Sequence, residues 1–219
     1  SIIVLSFLKL EQSETAFCIY ISKEMVNFLI KTVRKIISHY YSIRNYCNFR
    51  INKVKSKTFL IKGVIQIINK GNIHIGLDFR ANSGRSKNPI GGDTVLRLIT
   101  ETSGVINIGD NVGISNSTLF SKENITIMNG VLIGGGCSIW DSDFHSLDKT
   151  IRGGVNDIGV SKPILIKENA WLGGKTIVLK GVTIGENSII GAGSVVTKSI
   201  PDNQIWAGNP AKFIKSIDN

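Results

Sequence analysis

The sequence is short of the residues that would place it in several familiar classes. Its three cysteines, Cys18, Cys47 and Cys137, are odd in number, scattered, and form no C-x-x-C pair. That pattern speaks against a disulfide framework or a zinc knuckle and sets the expectation of a reducing, cytoplasmic setting. Only three histidines, His39, His74 and His145, occur in 219 residues, far apart. A zinc-dependent hydratase would need several as ligands, so no metal site is expected. The N-terminal apolar run, Ile2 to Leu5 with Phe7 and Leu8, is far too short to span a bilayer. It also lacks the basic leader and small-residue cleavage site of a signal peptide. Gly134-Gly135-Gly136 is not followed by a G-x-G-x-x-G fingerprint opening a helix, which argues against a dinucleotide-binding fold.

Glycine and proline are absent from the first 62 residues, and all 23 glycines and four prolines come after. Charge divides at the same place. The formal net charge is +10, but residues 1–62 hold eleven basic and three acidic residues, net +8, while residues 63–219 hold fifteen and thirteen, net +2. A nucleic-acid partner is therefore not expected, because the larger part is nearly balanced. Two regions are expected: an N-terminal helical, basic segment over residues 1–62, and a second domain over 63–219.

In the first region, Val26, Leu29, Ile30, Val33, Ile36, Ile37, Tyr40 and Tyr41 fall at three-four spacing. This spacing predicts a helix over 22–46 with Ser22 as its N-cap. Asn27, Lys31, Arg34, Lys35, Ser38 and Ser42 lie opposite. Such a helix either packs on the main domain with a solvated basic face or attaches to anionic lipid or an acidic polymer.

The second region is a six-residue repeat. Ile166, Leu172, Val178, Ile184, Ile190 and Val196 stand six apart. Four places on from each come Ala170, Thr176, Val182, Ser188, Ser194 and Ile200, mostly small. Three places on come Asn169, Lys175, Gly181, Asn187, Gly193 and Ser199, where Asn and Gly suit a tight corner. Shorter runs at Ile108–Ile114 and Ile127–Ile133–Ile139 precede them, with a weaker start at Ile75 and Ala81. A period of six fits neither helix nor plain strand. It fits a short strand, a corner and another short strand. Three units make a triangular coil, and residues eighteen apart then stack: Ile166 on Ile184, Leu172 on Ile190, Val178 on Val196, Asn169 on Asn187. The phase breaks between Ile139 and Ile166, so a loop must leave the prism at about 140–165, and loops on rigid scaffolds commonly carry function. A non-catalytic scaffold would keep its repeat unbroken.

These motifs resemble the hexapeptide-repeat acyltransferases. The matching stretches are Asn169-Ala170-Trp171-Leu172-Gly173-Gly174, Gly181-Val182-Thr183-Ile184-Gly185, Ile190-Gly191-Ala192-Gly193-Ser194-Val195-Val196-Thr197-Lys198 and Gly208-Asn209-Pro210-Ala211-Lys212. The resemblance implies a mainly β fold, a left-handed parallel β-helix behind an N-terminal α-helical segment. Ile139-Trp140-Asp141-Ser142-Asp143-Phe144-His145 makes the chain most like sugar O-acetyltransferases of surface-polysaccharide clusters. By this likeness His145 deprotonates the acceptor hydroxyl, which attacks acetyl-CoA directly. Asp143 or Asp141 is then the carboxylate that fixes the imidazole tautomer. Gly174 and Ala192 would lie along the pantetheine arm, Thr197 and Lys198 near its far end, and Lys212 and Lys215 near the phosphates, while Trp171 would either pack near the cofactor or serve coil packing. Asn116 would contact the acceptor. The resemblance further implies a carbohydrate acceptor and a homotrimer, while the cysteine usage and the basic N-terminal segment set the expectation of an enzyme that is cytoplasmic or peripheral at the inner face of a membrane. An amino sugar, free or nucleotide-linked, is the rival acceptor.

Overall fold

A computed structural model describes residues 22–90 and 92–218 of the chain. Helix α1 runs Lys23–Ile51. Ser22 caps it as expected, its Oγ accepting the Met25 N–H at 3.2 Å. The helix outlasts the expected end at residue 46 because its last turns are anchored. Asn45 donates to the Gly63 carbonyl at 2.8 Å and accepts the Ile65 N–H at 3.2 Å. Asn48 donates to Ile65 O at 2.8 Å. Phe49 is buried and stacks on Phe59 at 4.4 Å between ring centroids. Lys53, at φ 52°, then stops the helix: Val54 N–H bonds Phe49 O and Lys53 N–H bonds Arg50 O, a helix-ending pattern that usually employs glycine. By internal contacts the chain divides into units 1–41 and 42–219, so the division falls inside α1. The charge boundary at residue 62 falls within the first coil of strands.

Those coils follow one another along the chain. The first is β1 (Lys55–Ser56), β2 (Phe59–Gly63) and β3 (Ile65–Asn69); the second β4 (Asn72–Ile75), β5 (Phe79–Ser83) and β6 (Leu96–Thr100). The third is β7 (Val105–Ile108), β8 (Gly113–Ser115) and β9 (Thr118–Ser121); the fourth β10 (Asn124–Ile127), β11 (Leu132–Ile133) and β12 (Ser138–Trp140). The fifth is β13 (Ile164–Ile166), β14 (Trp171–Leu172) and β15 (Ile177–Val178); the sixth β16 (Thr183–Ile184), β17 (Ile189–Ile190) and β18 (Val195–Val196). Strands β19 (Gln204–Ala207) and β20 (Lys212–Ser216) follow. Three sheets result. The first face is β1-β4-β7-β10-β13-β16, the second β2-β5-β8-β11-β14-β17-β19-β20, and the third β3-β6-β9-β12-β15-β18. All pairings are parallel except β19 with β20. This is a three-sided parallel β-helix, and the expected register holds: Ile166 pairs Ile184, Leu172 pairs Ile190 and Val178 pairs Val196.

The six aliphatic residues are fully buried, and so are the small residues four places on. Each buried aliphatic side chain contributes about 1.5–3 kcal/mol, so these ladders are the main stabilising element. Hydroxyls at the small positions are satisfied by corner carbonyls: Thr176 on Gly173 O, Ser188 on Pro201 O and Ser194 on Gly191 O. Five of the six residues expected at corners have positive φ, namely Asn169, Lys175, Gly181, Asn187 and Gly193. Asn169 and Asn187 stack with Asn203 through side-chain amide bonds of 3.3 and 3.0 Å.

Candidate functional site

The loop leaves the prism after Trp140 and returns at Ile164, at the corner between the third and first faces. Its neck is a short antiparallel ladder. Ser142 pairs with Ser161, Asp143 N–H donates to Val160 O at 3.0 Å, and Lys162 N–H donates to Asp141 O at 2.8 Å. Asp141 is buried. Its carboxylate accepts the Ser121 hydroxyl at 2.7 Å and the Lys122 and Glu123 N–H groups at 2.8 and 3.0 Å. Asp143 receives Lys180 Nζ at 2.6 Å. Both aspartates therefore secure the base of the loop.

The carboxylate that reaches the imidazole is Asp157, twelve residues beyond His145. Its Oδ2 lies 2.6 Å from His145 Nδ1. This corrects the expectation of Asp143 or Asp141. Asp157 also accepts the Ser146 and Gly153 N–H groups, the latter at 2.7 Å. The Ser146 N–H, then the Gly153 N–H, then His145 hold its pKa down to about 2. Its side chain is nearly covered, whereas that of His145 is 69% exposed. A carboxylate on Nδ1 fixes the proton there and leaves Nε2 with its lone pair toward solvent. Such an imidazole can take a proton from an incoming hydroxyl. Gly159 packs beneath, where a Cβ would stand 2.3 Å from Asp143 O and 2.9 Å from His145 N. Sequence spacing could not reveal Asp157, because the loop has no period.

The other expected site residues spread over the prism. Gly174 and Ala192 lie at successive levels of the corner between the second and third faces. The coils approach closely there: a Cβ on Gly134 would stand 2.6 Å from Gly174 N, and one on Gly173 would stand 2.6 Å from Ala192 N. Trp171 projects from β14 on the second face, about half exposed. Thr197 and Lys198 are exposed just after β18. Lys212 and Lys215 are exposed on β20, paired with Ala207 and Ile205. Asn116 is not an open acceptor ligand. It is buried, its Oδ1 accepts the Gly84 N–H at 2.8 Å, and its Nδ2 donates to Gly92 O at 3.2 Å. Both ends of the amide are thus used to hold a neighbouring loop. Cys137 is buried, donates to Gly173 O at 3.2 Å, and has its thiol pKa pushed up by burial, so it packs rather than reacts. Among the described residues no group of three His, Cys, Asp or Glu could hold a metal.

Residues 163–198 match the family model described as bacterial transferase hexapeptide (six repeats). Over 104 residues, 48% of this chain and 49% of the relative, the sequence is 45% identical to a putative acetyltransferase of Schizosaccharomyces pombe. It is 40% identical to galactoside O-acetyltransferase of Lactococcus lactis over the same shares of each chain. The chain thus spans about half the length of the curated relatives it matches. A mutant of AntD, an N-acyltransferase of Bacillus cereus solved with dTDP-4-amino-4,6-dideoxyglucose and coenzyme A, aligns with a TM-score of 0.62 at 22% identity, covering 78% of this chain and 87% of that one. Repeat, register and fold together make residues 163–198 a run of hexapeptide repeats wound as a parallel β-helix.

Proposed function

We propose that the protein is an acetyl-CoA-dependent O-acetyltransferase acting on a carbohydrate hydroxyl, with His145 as general base. The observation that carries this reading is the His145–Asp157 pair, with Nδ1 held at 2.6 Å on a loop braced at its neck. Nε2 takes the proton of the acceptor hydroxyl as its oxygen attacks the thioester carbonyl. The tetrahedral intermediate collapses, the C–S bond breaks, and the imidazolium returns its proton to the departing thiolate. Asp157 keeps the tautomer and stabilises the imidazolium. The Gly174–Ala192 corner takes the pantetheine arm, with Thr197 and Lys198 beyond it. Lys212 and Lys215 supply charge near the phosphates, though without the bidentate fork of arginine. In a homotrimer, one subunit's His145 would face the groove of the next. The galactoside O-acetyltransferase among the relatives supports a hydroxyl acceptor.

Thiol release from acetyl-CoA against a panel of sugar hydroxyls and sugar amines tests the reading. Turnover with hydroxyls is expected, and turnover confined to amines would replace it with N-acetylation. His145→Ala should lower kcat at least about a hundredfold.

The basic segment up to residue 62 is proposed to hold the enzyme at an anionic membrane surface. No described helix is long and apolar enough to cross a membrane. However, Leu29, Val33, Ile36, Ile37 and Tyr40 share one exposed face of α1, with Lys31, Arg34 and Lys35 off that face. Co-sedimentation with anionic vesicles, lost on substituting Ile36 and Tyr40 by Ser, is the expected result. Undiminished sedimentation would reject the idea.

A further inference from the structure

Between β5 and β6 the chain leaves the corner of the second coil and runs along the prism. Asn116 of the third coil fastens this excursion at both ends, through Gly84 and Gly92, and its carbonyl also accepts the Thr94 hydroxyl at 3.1 Å. The Ile90 N–H is turned onto Asn88 Oδ1 at 3.0 Å. Ile90 then meets the fifth coil: a Cβ on Gly174 would stand 3.3 Å from Ile90 Cδ1 and 3.1 Å from Gly135 O. From the second coil to the fifth is three rungs, about 14 Å at the usual strand spacing. The same corner thus changes character within one rung. Ala192 is exposed, whereas Gly174 is buried between Ile90 and Gly135 O.

We infer that Ile90 is the acyl-size determinant of this groove, a wall at the end of the Gly174–Ala192 corner that admits a two-carbon acyl group and excludes longer ones. The inference rests on the reading that this corner takes the pantetheine arm. An arm running from Lys198 past Ala192 brings its thioester to Gly174, where the next group along the corner is the Ile90 side chain. Asn116 is then a positioning residue, acting on the acyl group only through the loop that it fastens. An aliphatic wall discriminates by shape, and one misplaced methylene in an apolar pocket is typically worth about 10–200-fold.

The test uses the full chain and two thioethers that cannot react, S-ethyl-CoA and S-butyl-CoA, measured by equilibrium binding. The wild type should favour S-ethyl-CoA at least about tenfold. Ile90→Ala should bring the two within about threefold, and Ile90→Phe should widen the gap. Ile90 is 64% exposed, so truncating it leaves the core intact. A ratio unchanged in both variants, or no binding of either thioether, overturns the inference. Acetyl-CoA turnover is followed separately. A shifted ratio without hydroxyl acetylation rejects the proposed reaction but keeps Ile90, whereas acetylation with an unshifted ratio does the reverse.

Discussion

Replacing Asp157 by Asn separates an oriented base from an exposed histidine. The substitution keeps size and one acceptor oxygen. That oxygen can take the Oδ1 place and serve the Ser146 N–H, or the Oδ2 place and serve the Gly153 N–H and the imidazole, but not both. If the amide NH2 turns to Nδ1, the ring must accept there and carry its proton on Nε2, so the base is lost. Mispositioned or wrongly protonated imidazoles lose about 10²–10⁴ in rate. The ring is 69% exposed, so water can replace part of the missing contact, and the lower end, about a hundredfold in kcat, is expected. KM for acetyl-CoA should stay within about twofold, because Asp157 lies on the loop and not on the corner proposed for the arm. Steady-state thiol release measures both constants, and a thermal melt checks the loop. A variant that keeps more than a third of wild-type kcat with an unchanged melt refutes the orienting role.

Other consequences can be checked separately. Asp157 titrates near 2 in the folded chain, below its ordinary carboxylate value. Its stabilising contribution is therefore complete above about pH 4 and lost as pH falls toward 2, so the free energy of urea unfolding should carry no Asp157 dependence above about pH 4 and should fall below it, more in the wild type than in Asp157→Asn. Asn116→Ala leaves the buried Gly84 N–H unpaired and releases the Gly92 carbonyl, and should destabilise by about 1–3 kcal/mol in urea unfolding. Lys175 is held at φ 61°, so Lys175→Gly should raise stability by about 0.5–1 kcal/mol in the same assay. Ile139→Ala, in the buried ladder, should cost about 2–5 kcal/mol.

What the sequence disclosed was what repeats. A buried ladder needs the same residue type at every rung, so Ile166 through Val196 could be placed, stacked and paired by counting sixes. Corners were legible where Asn or Gly filled them, whereas at Lys175 only the count of six gave the corner, because lysine does not advertise the conformation held there. The end of α1 was missed for the same reason, since Lys53 performs a turn usually given to glycine. The site was legible only in part. His145 sits in a phase break and beside aspartates, but proximity in sequence suggested Asp141 and Asp143, which are spent on Ser121 and Lys180. Asp157 comes back to the ring only because the neck at Ser142 and Ser161 folds the loop on itself. Asn116 was singled out by the family resemblance alone, yet its partners lie 24 and 32 residues earlier, and no local pattern records that.

The two ends of the β-helix have a consequence of their own. Every rung offers the next an open row of N–H and C=O groups, so a stack of this kind has no intrinsic length and would grow by adding further copies. One end is shut by the last turns of α1, through Asn45, Asn48 and Phe49. At the other, β20 runs against β19 in the opposite direction, with every residue exposed. Termination, as distinct from folding, is thus assigned to a few residues outside the repeat. A chain with Asn45 and Phe49 both changed to Ser would keep its rungs and lose its stop, and its failure would be fibres built end to end.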